Sequence, residues 1–118
     1  MCIRDRINYT CFETHLVEGP WNRGRVVLIG DAAHSCPPTL AQGAAMALED
    51  ASVLAELVLS RAGIDDELFA LLMDRRFERA KTVVDNSVQL CTWLLEHNQD
   101  ADVPGIFART AAMLAAPA

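Results

Sequence analysis

Between residues 25 and 45 the chain reads RVVLIGDAAHSCPPTLAQGAA, and several of these residues could do chemistry together. Asp31 follows Gly30 at the end of an apolar run, so its carboxylate stands at the tip of an expected strand. An ionised Asp only accepts hydrogen bonds, which suits ligand hydroxyls or backbone N–H groups and repels a phosphate. Pro37 and Pro38 lack an N–H and hold the residue before each in extended geometry, giving a stiff loop that presents carbonyl oxygens. Gln42, Gly43, Ala44 and Ala45 then open a helix whose first N–H groups have no partners within it. Such a start is electropositive, worth about 0.3–1 kcal/mol to a nearby anion. Gly30 allows a close approach or an unusual φ, and the small residues leave room for a flat molecule against the backbone. The same spacing also serves a plain strand–turn–helix in which Asp31 caps a turn, and spacing alone leaves both readings open.

The elements that must carry these residues follow from periodicity. Val26, Val27, Leu28 and Ile29 are apolar without alternation, which predicts a strand buried on both faces, as in a parallel sheet between helical layers. One such strand is no sheet: either the fold is unusual, or its partner strands lie in sequence that is absent. A shorter β-favouring segment spans Thr10 to Val17. The string EGPWNRG (18–24) reads as a turn, with Trp21 packing near the strand's end. From Gln42 to Arg61 apolar residues recur at helical spacing (Ala44, Leu48, Ala51, Ala55, Val58), with Gly63 as the stop. Asp65 or Asp66 can cap a second, long amphipathic helix over 65–97, striped by Phe69, Met73, Phe77, Ala80, Val84, Val88, Cys91 and Leu95. An Ala-rich tail, weakly helical, ends the chain.

Composition narrows the function classes. The chain of 118 residues carries a net charge of −6, and no basic stripe is available to neutralise phosphates, which argues against a nucleic-acid partner. The densest basic group, Arg75, Arg76, Arg79 and Lys81, is interleaved with acids at helical spacing and reads as a solvated helix face. No apolar run is long enough to span a membrane. The four cysteines form no CxxC pair and no apolar leader opens the chain, which points to a cytoplasmic, reducing setting. The opening MCIRDR fits nothing after it, so residues 1–7 read as a non-native or disordered start, and residues 8–118 as the domain proper.

Residues 30–55, GDAAHSCPPTLAQGAAMALEDASVLA, preceded by WNRGRVVLI (21–29), closely resemble the second FAD-binding motif of flavin-dependent aromatic hydroxylases. These are the class A flavoprotein monooxygenases, which include para-hydroxybenzoate and salicylate hydroxylases. Their pattern runs from Gly-Asp through Ala-Ala-His and Pro-Pro to Gly-Gln-Gly, then a helix with Glu-Asp-Ala. RRFERAKTVVDNS (75–87) also looks like the family's Arg-rich helix. The resemblance implies an α/β fold: the C-terminal part of an FAD/NAD(P)-binding Rossmann-like domain, here one or two strands followed by long helices. It further implies that residues 25–61 form a strand–loop–helix FAD motif. Gly30, Asp31, Pro38, Gln42, Gly43, Ala44 and Ala45 would then be cofactor-binding. Asp31 would accept from the ribityl hydroxyls, the Pro38 carbonyl would lie near the reactive edge of the flavin, and the N–H groups of Gly43 to Ala45 would face the pyrimidine oxygen. NAD(P)H would reduce FAD, and O2 would then be used to hydroxylate a small aromatic substrate.

This sequence departs from the pattern at Ala41, where the first glycine of Gly-Gln-Gly is common, and at Ala45, where asparagine is frequent. His34 matches the motif and suits a structural hydrogen bond; Glu49 and Asp50 lie past the first helical turn and read as structural. No catalytic residue and no metal ligand is assigned. No GxGxxG occurs, so the adenine and pyrophosphate half of the site is expected in a missing N-terminal half, as part of a longer parent enzyme. A halogenase, epoxidase or reductase of the same fold, or a non-catalytic helical interaction module, remain alternatives.

Overall fold

The computed structural model describes residues 11–118. The expectations for residues 1–7, and the first residue of the Thr10–Val17 segment, lie outside that range. Four two-residue strands, β1 (His15–Leu16), β2 (Asn22–Arg23), β3 (Val26–Val27) and β4 (His34–Ser35), precede three helices, α1 (Gly43–Ser60), α2 (Asp66–Leu95) and α3 (Val103–Leu114). β1 pairs with β4 and β2 with β3, both antiparallel. No strand among the described residues is parallel, so the parallel pairing expected of residues 25–29 is not formed within them.

Burial corrects that strand further. Val26 and Leu28 are exposed (69% and 37%) while Val27 and Ile29 are half-buried. Helices and turns cover only one face of this segment, so an apolar run without alternation is buried with alternation. β2 and β3 form a hairpin closed by Gly24 and Arg25, with Gly24 at φ +58°. Trp21 behaves as its sequence position suggests. It is buried, its indole N–H donates to the Val17 carbonyl at 2.9 Å, and its ring lies 5.5 Å from that of His34.

α1 occupies the expected span but buries a different line. Met46, Asp50, Val53 and Leu57 face inward, whereas Leu48 is 73% exposed and Ala44, Ala51 and Ala55 also face outward. An alanine stripe (Ala44, Ala47, Ala51, Ala55) with Leu48 lies opposite Met46, Val53 and Leu57, so apolar periodicity could not fix the helix's orientation. The inner line includes a carboxylate that only a buried partner makes tolerable. α1 ends when Arg61 turns extended (ψ 151°), ahead of Gly63, because a change of backbone conformation rather than a glycine cap breaks the ladder.

α2 is capped by Asp65, whose side chain accepts from the Leu68 N–H at 2.9 Å. It runs unbroken through Asn86 and Ser87. Its inner line is Phe69, Leu72, Arg76, Ala80, Val83, Ser87 and Leu90, a three–four alternation rotated slightly from the expected stripe; Leu95 is 75% exposed. α3 is capped in the same way by Asp102, accepting from the Gly105 N–H. Two hydrophobic clusters result. One joins Trp21, Ala33, Leu40, Met46, Ala80, Val83, Leu90 and Ile106; the other joins Val53, Leu57, Leu68, Phe69 and Leu72. Each large side chain buried there contributes roughly 1.5–3 kcal/mol. Along α1 the division falls at Asp50, and along α2 at Arg76, so charged side chains occupy the boundary between the clusters.

Candidate functional site

The segment from Ile29 to Ala45 is shaped by a few backbone decisions. Ile29 is extended, and Gly30 then takes φ +58°, opening a single 3-10 turn over Gly30–Ala32 that closes with Ala33 N–H to the Gly30 carbonyl at 2.9 Å. A β-carbon on Gly30 would stand 2.9 Å from that of Ala47. This position is therefore closed to side chains twice over, by its left-handed backbone and by the proximity of α1. β4 follows, then buried Pro37 and a second 3-10 turn, Pro38–Leu40. Thr39 fastens that turn to α2 by donating its hydroxyl to the Ser87 carbonyl at 2.6 Å.

The turns bring Asp31 beside the start of α1. Asp31 is exposed, and a β-carbon built on Gly43 would lie 3.9 Å from its Oδ1. The carboxylate thus stands beside the first residue of α1. Gln42 holds the cap position without giving a side-chain cap, and the first bond of the helix is Met46 N–H to the Gln42 carbonyl at 2.9 Å. The N–H groups of Gly43, Ala44 and Ala45 therefore precede the helical ladder. Ala44 and Ala45 are exposed, leaving the backbone open to an approaching molecule. The Pro38 carbonyl accepts from the Ala41 N–H at 3.1 Å, which leaves one of its two lone pairs. Ala41 itself has φ 54° and ψ 30°, the left-handed conformation in which a glycine would be unstrained.

Behind this surface lies a buried polar network that charge patterning did not reveal. Asp50 is fully buried and accepts from the Gly30 N–H at 2.8 Å and from His34 Nε2 at 2.7 Å, both at Oδ2, while Oδ1 accepts from Arg76 Nε at 2.7 Å. Arg76 also pairs with Glu49. Arg79 binds Glu49 at 2.6 Å and donates to the Met113 carbonyl at 3.0 Å. The reading of Arg75, Arg76, Arg79 and Lys81 as a solvated face holds for Arg75 and Lys81, whose partners Glu56 and Asp85 are exposed. It fails for Arg76, with no exposed surface, and for Arg79, with 11%. Alternating signs along one helix conceal partners on another: Glu49 and Asp50 on α1 supply the counter-charges.

These contacts set the charge state. Burial, the largest influence on Asp50, pushes its carboxyl up; hydrogen bonds from His34, the Gly30 N–H and Arg76 outweigh it, so the group titrates below its ordinary range. Glu49 is likewise raised by burial and brought down on balance by hydrogen bonds from Arg79 and Arg76. Both are ionised at neutral pH and fully engaged. That suits the structural role expected of Glu49, Asp50 and His34. A signal for Arg76 and Asp50 did exist in the sequence: each is a lone charge inside an otherwise apolar helical line.

Comparison with known proteins follows the same residues. The family described as "FAD binding domain" matches residues 12–87. The chain is 49% identical over 65 residues to a 6-hydroxynicotinate 3-monooxygenase of Bordetella bronchiseptica, covering 53% of this chain and 17% of the relative. It is 69% identical over 42 residues to a 2-heptyl-3-hydroxy-4(1H)-quinolone synthase of Pseudomonas aeruginosa, covering 36% and 11%. With the FAD-dependent monooxygenase ausM of Penicillium brasilianum it shares 39% identity over 102 residues, covering 74% and 21%. The chain spans about a fifth of the length of the curated relatives it matches. No solved structure matches. No helix among the described residues is long and apolar enough to cross a membrane.

Proposed function

The chain belongs to the FAD binding domain family, and from that premise we propose that residues 30–45 form the flavin-facing part of an FAD site in an NAD(P)H-dependent monooxygenase. The substrate would be an aromatic or similarly activated small molecule. The observation that carries this reading is the placement of one exposed acceptor, Asp31, beside the uncapped start of α1.

That pairing fits the group chemically. The Asp31 carboxylate can accept from ribityl hydroxyls and would disfavour a phosphate at the same point. The N–H groups of Gly43 to Ala45 can donate to a ring oxygen, and the positive end of α1 favours negative charge there by about 0.3–1 kcal/mol, up to roughly 2 where partly buried. Gln42 sets the helix start through its carbonyl, and Pro38, held in its turn, would border the ring. With methyl groups at Ala44 and Ala45, contact there is made by backbone. FAD, when bound, supplies the redox chemistry, taking reducing equivalents from NAD(P)H and using O2 as oxidant. The chain's own contribution is to bind, orient and polarise.

The proposed parent domain is an α/β FAD/NAD(P)-binding fold of the Rossmann-like type, working in a reducing, cytoplasmic setting. In it another part of the enzyme holds the adenine and pyrophosphate. The names of relatives that act on a hydroxynicotinate or form a hydroxyquinolone support a nitrogen-heteroaromatic or related substrate class. The test is an enzyme in which residues 30–45 are joined to a complete FAD domain. It should carry the yellow absorbance of bound flavin and oxidise NAD(P)H only with O2 present. A folded protein that retains no flavin would overturn the reading.

A further inference from the structure

Asp31 is placed by its neighbours, and both ends of its turn are tied to one carboxylate. On one side, Gly30 donates its N–H to Asp50 Oδ2 at 2.8 Å; on the other, His34 Nε2 meets the same oxygen at 2.7 Å. Asp31, Ala32 and Ala33 span the gap between those two anchors. The second oxygen of Asp50 is held by Arg76 Nε at 2.7 Å, so the carboxylate cannot rotate away without abandoning a buried cation. Asp50 is also on α1, two turns beyond Gly43. The element that presents the N–H groups of the site is therefore the one that fixes the turn bearing its acceptor.

We propose that Asp50 is a positioning residue for the flavin site, clamping Gly30 and His34 so that Asp31 is held against the start of α1. Because three donors converge on its two oxygens, the clamp requires a carboxylate, and His34 must carry its proton on Nε2. An asparagine offers a single acceptor oxygen, so it can serve the turn or Arg76 but not both with equal geometry. The proposal rests on Asp31 being the ribityl acceptor inferred above, yet the clamp can be measured without flavin.

The experiment is nuclear magnetic resonance on the labelled 118-residue chain and its Asp50→Asn and Val53→Ala variants. Val53 is buried on the same face of α1, and its side chain has no hydrogen-bonding atom, so it controls for loss of stability alone. In the unaltered chain, the Gly30 amide should lie downfield and exchange slowly, and His34 should be the Nε2–H tautomer. Asp50→Asn should speed Gly30 exchange by at least roughly tenfold, the loss of about 1.4 kcal/mol of local protection, and shift the Asp31 to Ala33 amides. Val53→Ala should leave those signals in place. Equal Gly30 exchange in Asp50→Asn and the unaltered chain, or equal loosening in Val53→Ala, would overturn the clamp. Should Asp50→Asn fail to fold, the unaltered chain decides: a bare Nε2 on His34 overturns the proposal and a protonated one with a protected Gly30 amide supports it. A clamp that behaves as expected, in a chain whose FAD contacts ignore Asp31→Ala, would refute the flavin reading and leave the positioning role intact.

Discussion

The guanidinium of Arg76 meets the carboxylate of Asp50 through a bond of 2.7 Å from Nε to Oδ1, and neither side chain exposes any surface. Burying two charges carries a desolvation cost that their attraction offsets only with good geometry and further hydrogen bonds. Both conditions hold here, because Asp50 has three donors and Arg76 also pairs with Glu49. Removing one partner should hurt more than the pair itself contributes. Arg76→Met should lower unfolding free energy by about 3–5 kcal/mol, since it leaves Asp50 buried without its cation. Denaturant unfolding measures this; a loss under about 1 kcal/mol would place the pair in water.

The same network predicts how stability depends on pH. Asp50 and Glu49 both titrate below their ordinary values in the folded chain, so on acidification the unfolded state takes up these protons first. Their contribution is full above the unfolded carboxylate range and is lost as pH falls through the folded values. The denaturation midpoint should be nearly flat from neutrality to about pH 5.5 and drop below about pH 4. Asp50→Asn should make the acid drop shallower. Parallel profiles for the two proteins would show that Asp50 is not depressed.

Ala41 occupies a left-handed backbone, φ 54°, where its β-carbon crowds the neighbouring carbonyl at a cost of roughly 1–2 kcal/mol. Glycine removes that crowding but has more freedom to lose on folding. Ala41→Gly should therefore stabilise by about 0.5–1 kcal/mol, raising the thermal midpoint by a few degrees. A lower midpoint would mean that Ala41 relaxes out of the left-handed region.

Gly30→Ala should act in the opposite direction. Its new methyl meets Ala47 at 2.9 Å on a backbone of φ +58°, combining conformational strain with overpacking of roughly 1–3 kcal/mol. The loss should exceed about 2 kcal/mol by denaturant unfolding, and Asp31 should move from Gly43. Wild-type stability would show that the turn is not pressed against α1.

Much of the candidate site was legible because local backbone chemistry creates it. The glycine before Asp31, the paired prolines and the small residues at the helix start each act within a few positions, and periodicity located α1 and α2. What sequence could not orient was α1, because an alanine stripe with Leu48 on one face competes with Met46, Val53 and Leu57 on the other, so Leu48 was expected inside and Met46 was not. It could not see the solvent face of Val26 and Leu28 either, because a run of four apolar residues looks alike whether one side or both are covered. The pairing of Glu49 and Asp50 with Arg76 and Arg79 spans about thirty positions, beyond any local pattern, and only packing of α1 on α2 brings them together.

Asp31 makes the most direct test of the flavin site, because it is exposed and its loss should change stability by no more than about 0.5 kcal/mol. The measurement is titration of FAD into the isotopically labelled chain and its Asp31→Ala variant, following backbone amide signals. Shifts should concentrate at Gly30 to Ala32 and Gly43 to Ala45, and Asp31→Ala should weaken the interaction by roughly tenfold or more, as expected for losing hydrogen bonds to a charged acceptor. Shifts that fall elsewhere, or an affinity unchanged by Asp31→Ala, would contradict the assignment.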